Sequence, residues 1–189
     1  MKVRGAMSNH EKNTHTDSVH ILMAFARTSH GEKKSNCIRT VDKGRGDELE
    51  VLEAKLKVIG GYWRIHKTVN ARDVKKAMKH LMCALINNPE KASYIDSEWR
   101  TALLQSHCIY GEKRFMLDID TENKSNIEVV LELLEEQNIL ECTKYKSPKG
   151  WHYITKPFDT RVVCELEFVT LIRDGYYFIK EVGQRTAPL

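Results

Sequence analysis

The chain of 189 residues is 41% hydrophobic and 30% charged, which supplies enough apolar material for a real core and excludes a disordered polyelectrolyte. Its formal net charge of +4 and pI near 8.7 suit nucleotides or nucleic acid without demanding them. No apolar run approaches the ~18 residues that cross a bilayer, and five scattered cysteines without a Cys-x-x-Cys pair read as reduced core residues, not as a zinc site or disulfide frame.

Met1 to Asp17 is polar, lacks a hydrophobic signal core and reads as a flexible arm (residues 1–17), so the protein is expected in the cytoplasm. Residues 18–189 then read as a single domain in two lobes, 18–110 and 111–189. Val19 to Arg27 is apolar at nearly every position, as a strand covered on both faces requires. A short strand follows at Cys37 to Val41. Leu49, Val51, Leu52, Leu56 and Ile59 give an amphipathic helix that begins near Asp47 and stops at Gly60-Gly61. Tyr62 to Val69 alternates like a strand, and Asn70 is placed to cap a helix over Ala71 to Ile86. A further helix opens at Asp96 and runs through Gln105.

The second lobe starts with a strand, Lys113 to Asp120. Ser125 is placed to cap a helix whose stripe is Ile127, Val130, Leu131 and Leu134, with Glu128, Glu132, Glu135 and Glu136 in water. Two antiparallel strands, Ile139 to Lys146 and Gly150 to Lys156, follow around Ser147-Pro148-Lys149-Gly150. Asp159 is placed to cap a short helix to about Glu165. Val169 to Arg173 and Tyr176 to Glu181 flank Asp174-Gly175, a hairpin signal. This order predicts an α+β fold: an RRM-like antiparallel sheet with helices on one face, plus an N-terminal α/β lobe. Clefts between such lobes commonly receive small ligands.

The chemistry concentrates in Phe115-Met116-Leu117-Asp118-Ile119-Asp120. Side chains alternate along a strand, so Asp118 and Asp120 share one face while Leu117 and Ile119 enter the opposite layer. Two carboxylates roughly 6–7 Å apart repel by about 2–3 kcal/mol at an effective dielectric near 20, so a fold that keeps both ionised usually supplies a cation. Oxygen ligands on a rigid strand suit Mg²⁺ or Mn²⁺. The pattern equally suits a strand end running into the solvated turn Thr121-Glu122-Asn123-Lys124. The second constellation is Gly150-Trp151-His152, one helix beyond the acidic pair, with Lys149 and Lys156 as flanking cations for a phosphate. Upstream, Arg64 and His66 alternate onto one strand face, and Asn70 and Arg72 stand where a helix start would offer N–H groups to a phosphate.

The hydrophobic-Asp-hydrophobic-Asp strand followed by Gly-x-His resembles the catalytic core of the archaeo-eukaryotic primase superfamily, including small phage-type primase-polymerases; the Ile-Thr-Lys-Pro-Phe run after the histidine is similar to phage members. The resemblance covers roughly residues 62 to 181. It implies that Asp118 and Asp120 hold divalent metal, that His152 binds the phosphates of an incoming nucleotide, and that a third acid lies on a later strand. Asp174 is the candidate for that third catalytic and metal-binding acid, ahead of Glu165, Glu167 and Glu181, although Asp-Gly there is also what a tight turn requires. The implied activity is metal-dependent nucleotidyl transfer that joins nucleoside triphosphates on a DNA (or RNA) template, with a helicase or other replication partner, in the host cytoplasm where the gene is phage-borne. Two other readings stay open: a non-catalytic nucleotide or single-stranded nucleic-acid binding protein, and a metal-independent 2H-type phosphoesterase suggested by His66-Lys67-Thr68. The latter's second copy is out of phase, because Thr155 lies three positions from His152.

Overall fold

The structure, a computed structural model, describes residues 17–26, 35–139 and 142–184. It is α+β, with two antiparallel sheets and four α-helices among the described residues. The flexible arm assigned to residues 1–17 lies outside them except for Asp17.

The first sheet is built on β1 (Ser18–Ala26). Its neighbours are β2 (Asn36–Asp42) and β3 (Trp63–Thr68), with the two-residue β4 (Arg72–Asp73) pairing its start. Both faces of β1 are covered, as its unbroken apolar run requires. On one side Leu22, Ala24 and Ala26 pack with Trp63 and Ile65 against Leu52 and Leu56 of α1 (Glu48–Ile59). On the other, Val19, Ile21 and Met23 pack against Ala77 and Leu81 of α2 (Val74–Asn87) and Ala102 and Leu103 of α3 (Ile95–Leu103). Asn70 does not cap α2. Asp73 does, accepting from the Lys76 N–H at 2.9 Å, because Arg72 and Asp73 are drawn out of helical geometry to pair with β1.

The second sheet has the order β6-β7-β5-β8, with β5 (Phe115–Ile119) and β7 (Trp151–Thr155) at its centre and β6 (Cys142–Lys146) and β8 (Val169–Ile172) at its edges. Between β5 and β6 runs α4 (Lys124–Glu136), whose Val130 and Leu134 cover Leu117, Ile119 and Tyr153. Asn123, not Ser125, caps this helix, its side chain accepting from the Ser125 N–H at 3.0 Å. The short helix expected after Asp159 is only a 3₁₀ turn at Val163–Glu165, since Asp159 spends its carboxylate on the Arg161 side chain and backbone N–H.

The lobe boundary differs from the expected one. Asp174-Gly175 does not close a hairpin: β8 pairs β5 in the second sheet, whereas β9 (Tyr176–Val182) pairs β3 in the first. The chain therefore crosses between sheets at this turn, and β9 belongs to the first lobe. Among the described residues no helix is long and apolar enough to cross a membrane.

Candidate functional site

With α4 on one face of the second sheet, the other face looks toward the first lobe, and its character changes steadily along β5. Arg114, just before the strand, is fastened to the first lobe: Asn70 accepts its N–H at 2.6 Å and donates to its carbonyl at 3.2 Å. Next on that face is Met116, packed with Val69 and Tyr177. Then comes Asp118, its side chain 28% exposed. Asp120, just past the strand, is exposed and without a side-chain partner among the described residues. The two lobes are thus joined at the Arg114 end and part toward Asp120.

His152 is the direct cross-strand partner of Asp118. Its Nε2 lies 3.2 Å from Asp118 Oδ1, and its ring is almost fully buried. The Phe178 backbone N–H, from β9 of the first lobe, donates to His152 Nδ1 at 3.1 Å. That nitrogen's lone pair is therefore used, and the ring proton sits on Nε2, facing the carboxylate. Phe178 is available because β9 bulges at this point: Ile65 faces Lys180 while His66 faces Phe178, leaving Ile179 as the extra residue.

Gly150 explains how the histidine strand comes so close to the acidic one. A Cβ on Gly150 would lie 1.9 Å from the Ile119 carbonyl oxygen and under 3 Å from two backbone atoms of Thr121. The turn before β7 thus lies directly on the backbone that carries Asp120, and only glycine fits there.

An open cleft of about 730 Å³ lies between the β6–β7 turn and the β3–β9 edge, lined by Tyr62, Arg64, Lys146, Ser147, Phe178 and Lys180, among others. Arg64 contacts Glu181 and the Tyr62 hydroxyl, each at 3.2 Å. Burial raises the Tyr62 phenol above its ordinary range, and a hydrogen bond with Glu181 adds to this. Lys146 pairs with Glu122, whose carboxyl it holds below the usual range, and lies over the Trp151 ring at 4.9 Å. Lys149 is exposed at the tip of the same turn.

The other sequence candidates are placed differently. Asp174 is not beside Asp118. The β5–β8 register pairs Asp118 with Thr170, so Asp174 lies four residues further along, about 13 Å away on a strand rise. There its carboxylate takes two bonds from the Arg72 guanidinium, at 2.7 and 3.1 Å, and one from Asn70 at 3.1 Å. Asn70 and Arg72, expected to meet a nucleotide, are both 2% exposed and form with the half-buried Asp174 and Arg114 a clasp between the lobes. Lys156 follows β7 at this same end, beyond the Phe115–Thr155 pair, and so is remote from the carboxylates. His66 sits edge-on between the Phe25 and Phe178 rings. Phe178, Lys146 and Thr170 were not singled out by sequence, because a bulge, a cleft lining and a strand register are all non-local.

Asp118 and Asp120 offer hard oxygen donors on one face, fitting an Mg²⁺ or Mn²⁺ ion that takes the rest of its shell from water and substrate phosphates. Among the described residues, no group of three or more His, Cys, Asp or Glu is arranged to hold a metal by itself. The chain matches no known protein-family model, no curated protein and no solved structure.

Proposed function

We propose that the lobe-facing surface around Asp118 and His152, beside this cleft, binds a nucleoside triphosphate with a divalent cation and performs nucleotidyl transfer of the primase-polymerase type on a nucleic-acid template. The observation that carries the reading is the Asp118–His152 pair on the lobe-facing side of the sheet, with His152 Nε2 presented 3.2 Å from the carboxylate. Asp118 and Asp120 are the residues that would hold Mg²⁺ or Mn²⁺. When bound, the ion neutralises the triphosphate and lowers the pKa of the attacking hydroxyl. His152, fixed as the Nε2–H tautomer by the Phe178 N–H, would redirect its single Nε2–H hydrogen bond from Asp118 to a phosphate oxygen when the carboxylate turns to the cation; its contribution is orientation, not proton transfer. Lys149, exposed at the tip of the β6–β7 turn, supplies positive charge beside the cleft, while Arg64 and Lys146 are balanced there by Glu181 and Glu122. The template is DNA or RNA, a helicase or other replication protein is the partner this reading implies, and the setting is the cytoplasm.

Incubation with template, Mn²⁺ or Mg²⁺ and labelled nucleotides, beside the Asp118→Ala/Asp120→Ala variant, tests the reading. Incorporation by the natural chain and none by the variant is expected. Incorporation by both, or undiminished incorporation in EDTA, would refute it. A second reading, nucleotide or single-stranded nucleic-acid binding without turnover, is favoured by the absence of a carboxylate from the strand beside Asp118; metal-independent single-strand binding with no incorporation would select it. The 2H-type reading has less support, because Thr155 is buried on the sheet face opposite His152 and His66 lies in the other sheet.

A further inference from the structure

Three strands present one residue each in a row across the lobe-facing surface: His152 on β7, Asp118 on β5 and Thr170 on β8. Directly paired residues on adjacent strands hold their Cβ atoms about 4.5–5.5 Å apart, so the side chain at position 170 reaches whatever Asp118 holds. Thr170 is exposed, and the other residue of β8 on this face is Ile172, opposite Met116. The strand that flanks Asp118 therefore brings a hydroxyl and a branched aliphatic side chain to this face, but no carboxylate.

This matters for how many cations the site can carry. Asp118 and Asp120 bring two negative charges, which one divalent ion balances. Paired-metal phosphoryl-transfer sites place two ions about 3.5–4 Å apart, and the added positive charge calls for further carboxylate ligands. Asp174 cannot supply one from its place in the clasp with Arg72. A neutral threonine hydroxyl is a weaker partner for Mg²⁺ or Mn²⁺ than a carboxylate oxygen.

Resting on the metal–nucleotide reading above, we infer that Thr170 limits this site to one protein-held divalent cation, bound tightly only when nucleotide phosphates complete its shell. Position 170 is the determinant of metal number, and a carboxylate there converts the row into a three-acid site.

The test is Mn²⁺ titration of the full chain, followed by loss of the free-ion EPR signal, with and without a non-hydrolysable nucleoside triphosphate. It compares the natural chain with Thr170→Asp, Thr170→Asn and Asp118→Asn, each checked for folding by circular dichroism. Thr170→Asp is expected to tighten nucleotide-free Mn²⁺ binding at least about tenfold and to raise the ions bound with nucleotide from one to two. Thr170→Asn, similar in size but neutral, should change affinity by less than about twofold. In thermal melts, Thr170→Asp should lose stability in EDTA through carboxylate repulsion and recover it with Mn²⁺. Two ions in the natural chain, or a folded Thr170→Asp that binds no more ions and no more tightly, overturns the inference and leaves the site reading standing. If Asp118→Asn binds Mn²⁺ as the natural chain does, the site reading fails and the inference fails with it.

Discussion

Replacing Asp174 by Asn removes one charge from the clasp that joins the lobes. Arg72 is 2% exposed and has no charged partner but Asp174 among the described residues. Its Nε–H already lacks an acceptor, so nothing nearby can take over. Two unit charges with centres about 4 Å apart attract by about 4 kcal/mol at an effective dielectric of 20, and stranding one member of a buried pair costs about 3–5 kcal/mol. The Asp174 side chain is 21% exposed, and the Asn carbonyl can still accept one Arg72 bond, so the lower end, about 3 kcal/mol, is expected. For a chain of this size that lowers Tm by roughly 6–12 °C. Arg72→Met should cost less, because the carboxylate left behind reaches solvent and keeps its bond from Asn70. The double variant should be more stable than the sum of the singles implies, by about 2 kcal/mol. Thermal unfolding followed by circular dichroism reads all three. A Tm change under about 2 °C for Asp174→Asn, or strict additivity in the cycle, would refute the clasp. Unchanged Mn²⁺ affinity in Asp174→Asn is the companion result, since the carboxylate is committed to Arg72.

Gly150→Ala forces a methyl against the Ile119 carbonyl; a loss of about 1–3 kcal/mol in thermal unfolding, together with weaker nucleotide binding by calorimetry, is expected. Asn70→Ala leaves the partly buried Arg114 N–H without its acceptor and should cost about 1 kcal/mol by denaturant titration. His20, whose Nδ1 lies 2.9 Å from the Thr68 carbonyl, has its pKa lowered, first by burial and then by nearby Lys67. The unfolded chain then takes up the proton first, so this contribution to stability is complete above about pH 6.5 and is lost as pH falls through the lower folded value. Tm measured from pH 7.5 to 5.5 should drop less in His20→Gln than in the natural chain.

Local pattern carried much of this fold. The unbroken apolar run of β1 demanded cover on two sides and receives it from α1 and from α2 with α3. The alternation Met116, Leu117, Asp118, Ile119 separated the buried layer from the polar face, and Leu117 and Ile119 indeed meet α4. What local pattern could not carry is partner choice. Asp174-Gly175 has the composition of a hairpin turn, yet the β9 backbone finds its hydrogen bonds on β3, over a hundred residues earlier in the chain. Asn70 and Arg72 looked like the start of a helix because the groups that fix them, Arg114 and Asp174, are just as remote. The spacing of Gly150 from His152 was visible, but its reason, contact with the Ile119 carbonyl, needs three dimensions.

Because β9 completes the sheet that β1 begins, the second lobe is topologically an insertion in the first. Cutting the chain near residue 110 would not free a stable N-terminal fragment: it would strip β9 from β3 and leave the N–H and C=O groups of Trp63–Thr68 that face β9 unpaired and prone to association. During synthesis that edge stays open until Tyr176–Val182 has emerged, by which time β5 to β8 are available to fold as a unit. Engineering that aims to separate the halves must therefore excise the stretch between Ile109 and Asp174 and close the gap, not truncate the chain.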